Sequence, residues 1–292
     1  MNAFTIKDLE NLSGIKAHTI RIWEQRYNFL KPQRTDTNIR YYSNNDLKLI
    51  LNIALLNKYG IKISHIDKMN EDEIKNKILS LNDELAKEER IVNLLIQSMV
   101  DLDMDKFEEI IDDYLQLHPF EKIVTQIFFP FLDRIGILWL TNHINPAHEH
   151  LVSNIIRQKL ITGIENEGRE MKDAKTALLF LPEDDHHELG LLYSYYLLRK
   201  RGVKVIYLGA TVPIRDLEYI VNRKTPDFAY SHITTFASNF NFEKFLTQLH
   251  HRIPKLPFII SGQVTQNYRK NIPENVSFKK SLLEVNTFIS SI

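Results

Sequence analysis

The feature that most constrains the fold is the regular alternation of short apolar strands and helices in the last 120 residues of this 292-residue chain. Residues 174–181 (Ala-Lys-Thr-Ala-Leu-Leu-Phe-Leu) predict a buried strand. The loop 182–187 follows, and 188–201 predict a helix that stops at Gly202. The pattern repeats with strands at 203–209, 228–234 and 258–262 and intervening helices at 216–222 and 241–251. Continuous apolar strands separated by helices bury both faces of a sheet, so the pattern predicts a doubly wound, Rossmann-like parallel sheet. Ligands of such sheets bind outside the carboxyl ends of the strands. The loops at 185–187, 209–213, 231–234 and 261–262 all fall there.

Ahead of this domain the periodicity becomes helical. Apolar stripes at three- and four-residue spacing run through 91–100, 104–117, 121–138 and 147–165. Four such segments with short connections predict a four-helix bundle. The charged stretch 71–87, with sparse apolar positions at Ile74, Ile78, Leu81 and Leu85, reads as a connector helix. The most apolar stretch, 123–140, is interrupted by Gln126, Pro130, Asp133 and Arg134 and reads as buried helix rather than membrane span.

The balance of 37 basic and 37 acidic residues hides a polarity along the chain. Residues 1–69 carry an excess of five positive charges, whereas 70–118 carry an excess of nine negative charges. A basic head beside an acidic middle suits contact between the head alone and a polyanion. There is no cysteine, which excludes disulfides, thiol nucleophiles and thiolate metal sites and agrees with a cytoplasmic location. The first apolar residues are interrupted by Lys7, Asp8 and Glu10, unlike a signal peptide.

The head divides into small elements. Thr5 is placed to cap a short helix, Ser13-Gly14 turns the chain, and a second helix from Ala17 carries Ile20, Trp23 and Tyr27 on one stripe. Two short helices about a glycine turn form a helix-turn-helix pattern. Residues 33–42 then combine the Asp-Thr-Asn turn with strand-forming Ile39 to Tyr42, a β-wing bearing Arg34 and Arg40. The assembled run, Thr19-Ile-Arg-Ile-Trp-Glu-Gln-Arg-Tyr27 followed by Arg34-Thr35 and Arg40-Tyr-Tyr-Ser43, resembles the MerR family of winged helix-turn-helix regulators. That resemblance implies that Arg21, Arg26, Arg34 and Arg40 touch phosphates or base edges of double-stranded DNA, with Tyr41 and Tyr42 supporting the wing.

A second motif lies in the first loop of the sheet domain. Asp185-x-His187-x-x-Gly190 resembles the D-x-H-x-x-G motif of cobalamin-binding domains of the methionine synthase type. Ser231-x-Ile233-Thr234 resembles a second element of those domains. Ser261-Gly262 stands where they carry Gly-Gly. The resemblance implies that His187 is the lower axial ligand of cobalt, with Asp185 hydrogen-bonded to its other ring nitrogen. Gly190, Ser231, Thr234, Ser261 and Gly262 would accommodate the displaced nucleotide tail.

A MerR-type head, a helical segment carrying Trp139 and Glu149-His150, and a cobalamin-type sheet domain occur together in the CarH/LitR family of photoreceptor repressors. The implied organisation is a DNA-binding domain at 1–70, a connector and bundle at 71–168 and a cobalamin-binding domain at 169–292. In that family Trp139, Glu149 and His150 would surround the upper ligand of adenosylcobalamin. Methylcobalamin and hydroxocobalamin remain open as cofactors. The family mechanism implies a homo-tetramer that represses from operator DNA in the dark and dissociates when light cleaves the cobalt–carbon bond. Leu140 departs from the pattern, because well-characterised members carry a histidine there, so a bis-histidine photoproduct through that position is excluded. A light-independent cobalamin sensor and a corrinoid methyltransferase subunit are the alternatives. No catalytic residue is assigned.

Overall fold

The computed structural model describes residues 4–140, 145–168, 174–235 and 240–292, the side chains of 137–140 excepted. The chain divides into two compact units, Met1–Ile155 and Ile156–Ile292.

The first unit opens with α1 (Ile6–Ser13) and α2 (Ala17–Arg26), the predicted helix-turn-helix. Thr5 and Asp8 form a reciprocal capping box that fixes the start of α1. The strands β1 (Gln33–Arg34) and β2 (Arg40–Tyr41) pair antiparallel as the wing. A second capping box, Ser43 with Asp46, starts α3 (Asn44–Lys58), and α4 (Ile63–Ile66) follows. Phe4, Leu9, Leu12, Ile20, Trp23, Tyr42 and the buried face of α3 form the core of the head.

The connector departs from the sequence reading. In place of one helix over 71–87 there are two, α5 (Glu71–Leu79) and α6 (Glu84–Asp101). The break falls where the Asp83 carboxylate accepts from the Ala86 N–H at 3.1 Å, a local cap that starts a new helix. The predicted helix at 91–100 is the second half of α6. Then come α7 (Met104–Leu117), α8 (Phe120–Ile123), a π-helical turn at Val124–Phe128, α9 (Phe129–Leu140) and α10 (Pro146–Asn166), whose residues from Ile156 on belong to the second unit. The π turn interrupts the predicted helix 121–138 just before Pro130. Proline donates no backbone bond, and its ring crowds the carbonyl four residues back, which the wider turn relieves. No helix among the described residues is long and apolar enough to cross a membrane.

One polar node ties these layers. Arg134 of α9 donates to Asn93 (2.6 Å) and Glu89 (3.1 Å) of α6, and Lys58 of α3 reaches the same Glu89 at 2.5 Å.

The second unit is the doubly wound sheet. In chain order its elements are β3 (Thr176–Pro182), α11 (Leu189–Lys200), β4 (Lys204–Val212), α12 (Ile214–Lys224), β5 (Phe228–His232), α13 (Phe242–Arg252), β6 (Phe258–Ser261), α14 (Gln263–Asn267), β7 (Val276–Lys279) and α15 (Leu282–Ser290). The strands are all parallel in the order β4-β3-β5-β6-β7. Sequence reading did not register β7 and α15. Alternate strand residues feed two cores. Leu178, Phe180, Ala229, Phe258 and Ile260 pack with α12 and α13. Ala177, Leu179, Leu181, Tyr230 and Ile259 pack with α11 and α15. The order reverses between β3 and β5, so the loops that leave these two strands open the crevice of the fold.

Candidate functional site

The crevice begins where β3 ends. Asp185 is pulled back beneath the strand by its N–H bond to the Pro182 carbonyl (3.1 Å), and its own carbonyl accepts from the Thr211 N–H at the end of β4 (3.1 Å). The carboxylate is buried at 5% exposure. Its Oδ1 accepts from the His187 N–H at 3.0 Å and lies 2.9 Å from His187 Nδ1. A carboxylate can only accept, so Nδ1 is the protonated nitrogen, and the Nε2 lone pair is the one a metal would take. The His187 side chain is 59% exposed. The pair therefore has the chemistry of a metal-ligating histidine held in tautomer by an acid.

Glu188, which sequence reading passed over, braces this loop. It binds Arg157 through one oxygen and accepts from the Tyr207 hydroxyl through the other (3.0 Å). Burial and the neighbouring Glu188 hold the Tyr207 hydroxyl well above the usual phenol range.

The glycines of the two motifs mark close approaches. At Gly262, with φ +99°, an added Cβ would collide with the Ile233 carbonyl oxygen and lie 2.6 Å from its carbon. The ends of β5 and β6 thus meet backbone to backbone. At Gly190 an added Cβ would lie 2.5 Å from Nε2 and 2.9 Å from Cγ of His232. The imidazole of His232 is stacked on the glycine that opens α11.

Strand alternation separates the remaining motif residues. Tyr230 and His232 lie on the α11 side of β5, while Ser231 follows Ala229 toward the α12–α13 side. The Ser231 hydroxyl is buried without a hydrogen-bond partner, as is Asp185 Oδ2. Thr234 is exposed. Ser261 is buried, and its hydroxyl lies 2.7 Å from the Tyr230 hydroxyl and 2.8 Å from His232 Nδ1. The side chain at the position where the resembling domains carry glycine is thus fully engaged. Two buried polar atoms without partners, two glycine-dependent approaches and an acid-fixed imidazole fit a polar ligand with a metal at its centre.

Burial of the ring pushes the His232 pKa down to about 4 from 6.5, with the opposing field of Asp185 the smaller effect. Between these values an unfolded chain binds a proton that the folded chain refuses, so stability falls as pH is lowered through the window from 6.5 to about 4. Denaturant titrations across that range should show this slope in the wild type and a flatter one in His232→Asn. Equal slopes would remove His232 as the cause.

In the head, Arg21, Arg26 and Arg34 are exposed, and Tyr41 and Arg40 are partly buried. Arg34 donates to the Asn38 side chain at 2.6 Å across the wing turn. Arg40 Nε donates to Glu24 of α2 at 3.2 Å. Tyr42 is fully buried, its backbone paired with Phe4 and its hydroxyl donating to the same Glu24. Tyr42 is thus a support of the wing with no exposed surface. Glu24, invisible to motif reading except as one letter of the second helix, joins α2 to the wing.

The side chains of Trp139 and Leu140 lie outside the described residues. In the first turn of α10, Glu149 accepts from Ser153 at 2.9 Å and lies 3.1 Å from His150 Nδ1, whose ring is largely exposed.

Comparison with known proteins bears on the head and on the helical segment that precedes the sheet. Residues 4–73 match the MerR HTH family of regulatory proteins, and residues 91–162 match a B12 binding domain. The chain is similar to the HTH-type transcriptional repressor CarH of Myxococcus xanthus, 28% identical over 91% of each chain. It is also similar to the repressor CarA of the same organism, 26% identical over 91% of this chain and 89% of that one. In fold it resembles the monomethylamine corrinoid protein of Methanosarcina barkeri, with a TM-score of 0.57 and 15% identity over 70% of this chain and all of the other. The chain thus joins a MerR helix-turn-helix head to a B12-binding domain.

Proposed function

We propose that this protein is a cobalamin-dependent transcriptional regulator that represses from operator DNA in the dark and releases it on illumination. The observation that carries the reading is the Asp185–His187 pair at the sheet crevice, in the same chain as a basic winged head. His187 would hold the cobalt through Nε2. Asp185 keeps the proton on Nδ1 and raises the basicity of the ligand. Trp139, Glu149 and His150 are the residues proposed for the upper ligand, with Arg21, Arg26, Arg34 and Arg40 on the DNA. Bound adenosylcobalamin would supply a cobalt–carbon bond that green light cleaves. Multivalent contact by an oligomer would turn a loss of assembly into a loss of DNA binding.

Dark reconstitution tests the cofactor assignment. Wild-type protein should retain about one adenosylcobalamin per chain with a spectrum of nitrogen-ligated cobalt lacking the cofactor's own base. His187→Ala should lose that signature and bind about 10–100-fold more weakly. An unaltered spectrum in the variant would refute the ligand assignment. Illumination should then change the spectrum, the oligomeric state and operator binding together. Operator binding that survives illumination would refute the light switch. Leu140 favours one second reading, a cobalamin sensor indifferent to light. Dark titrations of operator binding with adenosyl-, methyl- and hydroxocobalamin separate the two.

A further inference from the structure

We propose that His232 is a displaceable plug of the groove between α11 and the sheet, and that a corrinoid's nucleotide tail must swing this ring out to enter. The inference rests on the cobalamin reading above and deepens it by naming the residue that controls tail entry.

The space above Gly190 carries the argument. A glycine at the start of α11 leaves room for a planar group to approach the helix backbone, and that room is filled by the His232 imidazole. No side chain larger than hydrogen fits at position 190 while the ring is there. A tail base using the same face of Gly190 and the ring are mutually exclusive occupants.

The ring is latched by a short run of hydroxyls. Ser194 of α11 sits 3.0 Å from the Gly190 carbonyl and 3.2 Å from the Tyr230 hydroxyl. Tyr230 passes to Ser261 at 2.7 Å, and Ser261 to His232 Nδ1 at 2.8 Å. If each hydroxyl donates to the next, the run ends on Nδ1 as acceptor and suits a neutral imidazole. Ser194 has one proton to give, to the Gly190 carbonyl or into the run, so the run starts at Ser194, one turn along α11 from Gly190, and finishes on the ring that covers Gly190. Ser261 is its pivot, and its hydroxyl explains a side chain at a position where the motif has glycine.

The chemistry of the plug suits displacement. His232 is only partly buried and sits at the last residue of β5, next to the loop that leaves the sheet. An aliphatic plug would expose apolar surface on leaving, whereas an imidazole exchanges one hydroxyl partner for water. The ring packed on Gly190 leaves no polar void beneath it. The cost falls on the ligand, whose apparent affinity is reduced by the fraction of molecules with the ring swung out.

The test compares cobalamin with cobinamide, which has the corrin and cobalt but no nucleotide tail. Association is followed by absorbance in the dark for wild type, His232→Ala, Ser261→Gly and His232→Phe. If the open form is about one molecule in ten, removing the ring should speed and tighten cobalamin binding about tenfold, and Ser261→Gly, which keeps the ring but cuts the latch, should shift it in the same direction. His232→Phe, which fills the slot with an apolar ring, should slow it. Cobinamide binding should not respond to any of the three. Cobalamin rates within twofold of wild type in both His232→Ala and Ser261→Gly would overturn the plug, as would equal shifts with cobinamide. Should His232→Ala fail to fold, Ser261→Gly carries the comparison. Folded wild type that binds neither corrinoid would refute the cobalamin reading and the plug with it. Wild type that binds both, with variants that match it, refutes the plug alone.

Discussion

Alanine at Gly262 is expected to destabilise the sheet unit by about 3 kcal/mol or more. Two separate costs combine. The backbone there has φ +99° and ψ 176°, a region that residues with a Cβ avoid at a cost of about 1–3 kcal/mol. The new Cβ would also collide with the Ile233 carbonyl oxygen and lie 2.9 Å from the Ile233 nitrogen. These are backbone atoms, and no rotamer change relieves them. Ile233 cannot retreat without breaking its N–H bond to Ser261 (2.9 Å), which joins the ends of β5 and β6. For a unit of this size the unfolding midpoint should fall by about 10 °C. Thermal unfolding of the full chain, read by circular dichroism, checks it. A shift of less than about 2 °C would mean that the strand ends are not packed backbone to backbone. Ser261→Gly, one residue away, has no such clash; its cost is the separate one of removing the hydroxyl that pairs with Tyr230 and His232, about 1–3 kcal/mol.

The contrast between these neighbours shows where sequence reading succeeds and where it stops. The Asp185–His187 contact and the tight approach at Gly262 are legible because their signals are local: a two-residue spacing in a loop after a strand, and a glycine where a strand ends. The same holds for the β3 to β6 strands, whose apolar runs are continuous because both faces of the sheet are covered. The last strand, Val-Ser-Phe-Lys, is only half apolar and short, so β7 had no period to betray it. The connector broke into α5 and α6 because a single carboxylate, Asp83, capped its own backbone more favourably than it continued a helix. His232 could not be singled out at all. It is the variable residue of its motif, and its significance exists only through space, in the ring stacked on Gly190 some 40 residues earlier in the chain. Ser261 could be read as a departure but not as the pivot of a hydrogen-bonded chain, because its two partners sit on β5. Pairwise alternation also redistributed the second motif. Ser231 and His232 are adjacent in sequence and on opposite faces of the sheet, and only the second meets α11.

Glu24 is the corresponding residue in the head, and Glu24→Ala should weaken specific operator binding about 10–100-fold, the value of about 1–3 kcal/mol attached to one well-placed base contact. The reasoning opposes a simple charge count. Removing a carboxylate makes the basic head more positive, which on electrostatics alone strengthens attachment to DNA. The geometry predicts the reverse. Glu24 is shielded, with 7% of its side chain exposed, and it holds two groups of the wing against α2: Arg40 Nε at 3.2 Å and the buried Tyr42 hydroxyl. Without it the Tyr42 hydroxyl loses its acceptor in a fully buried site, at about 1–3 kcal/mol of stability. Arg40 loses the contact that orients it, and the wing loses its registration on the helix proposed to enter the major groove. Positioning is what makes an arginine specific, since phosphate attraction alone carries no sequence information. The variant should therefore lose specific affinity while its non-specific affinity stays equal or rises. Glu24→Gln, which keeps an acceptor for Tyr42 and drops the charge facing Arg40, should fall between. Fluorescence anisotropy with operator and scrambled duplexes at a fixed salt concentration separates the two effects. An unchanged or tighter operator complex in Glu24→Ala would show that the wing is held by its own strand pairing and not by the carboxylate beneath it.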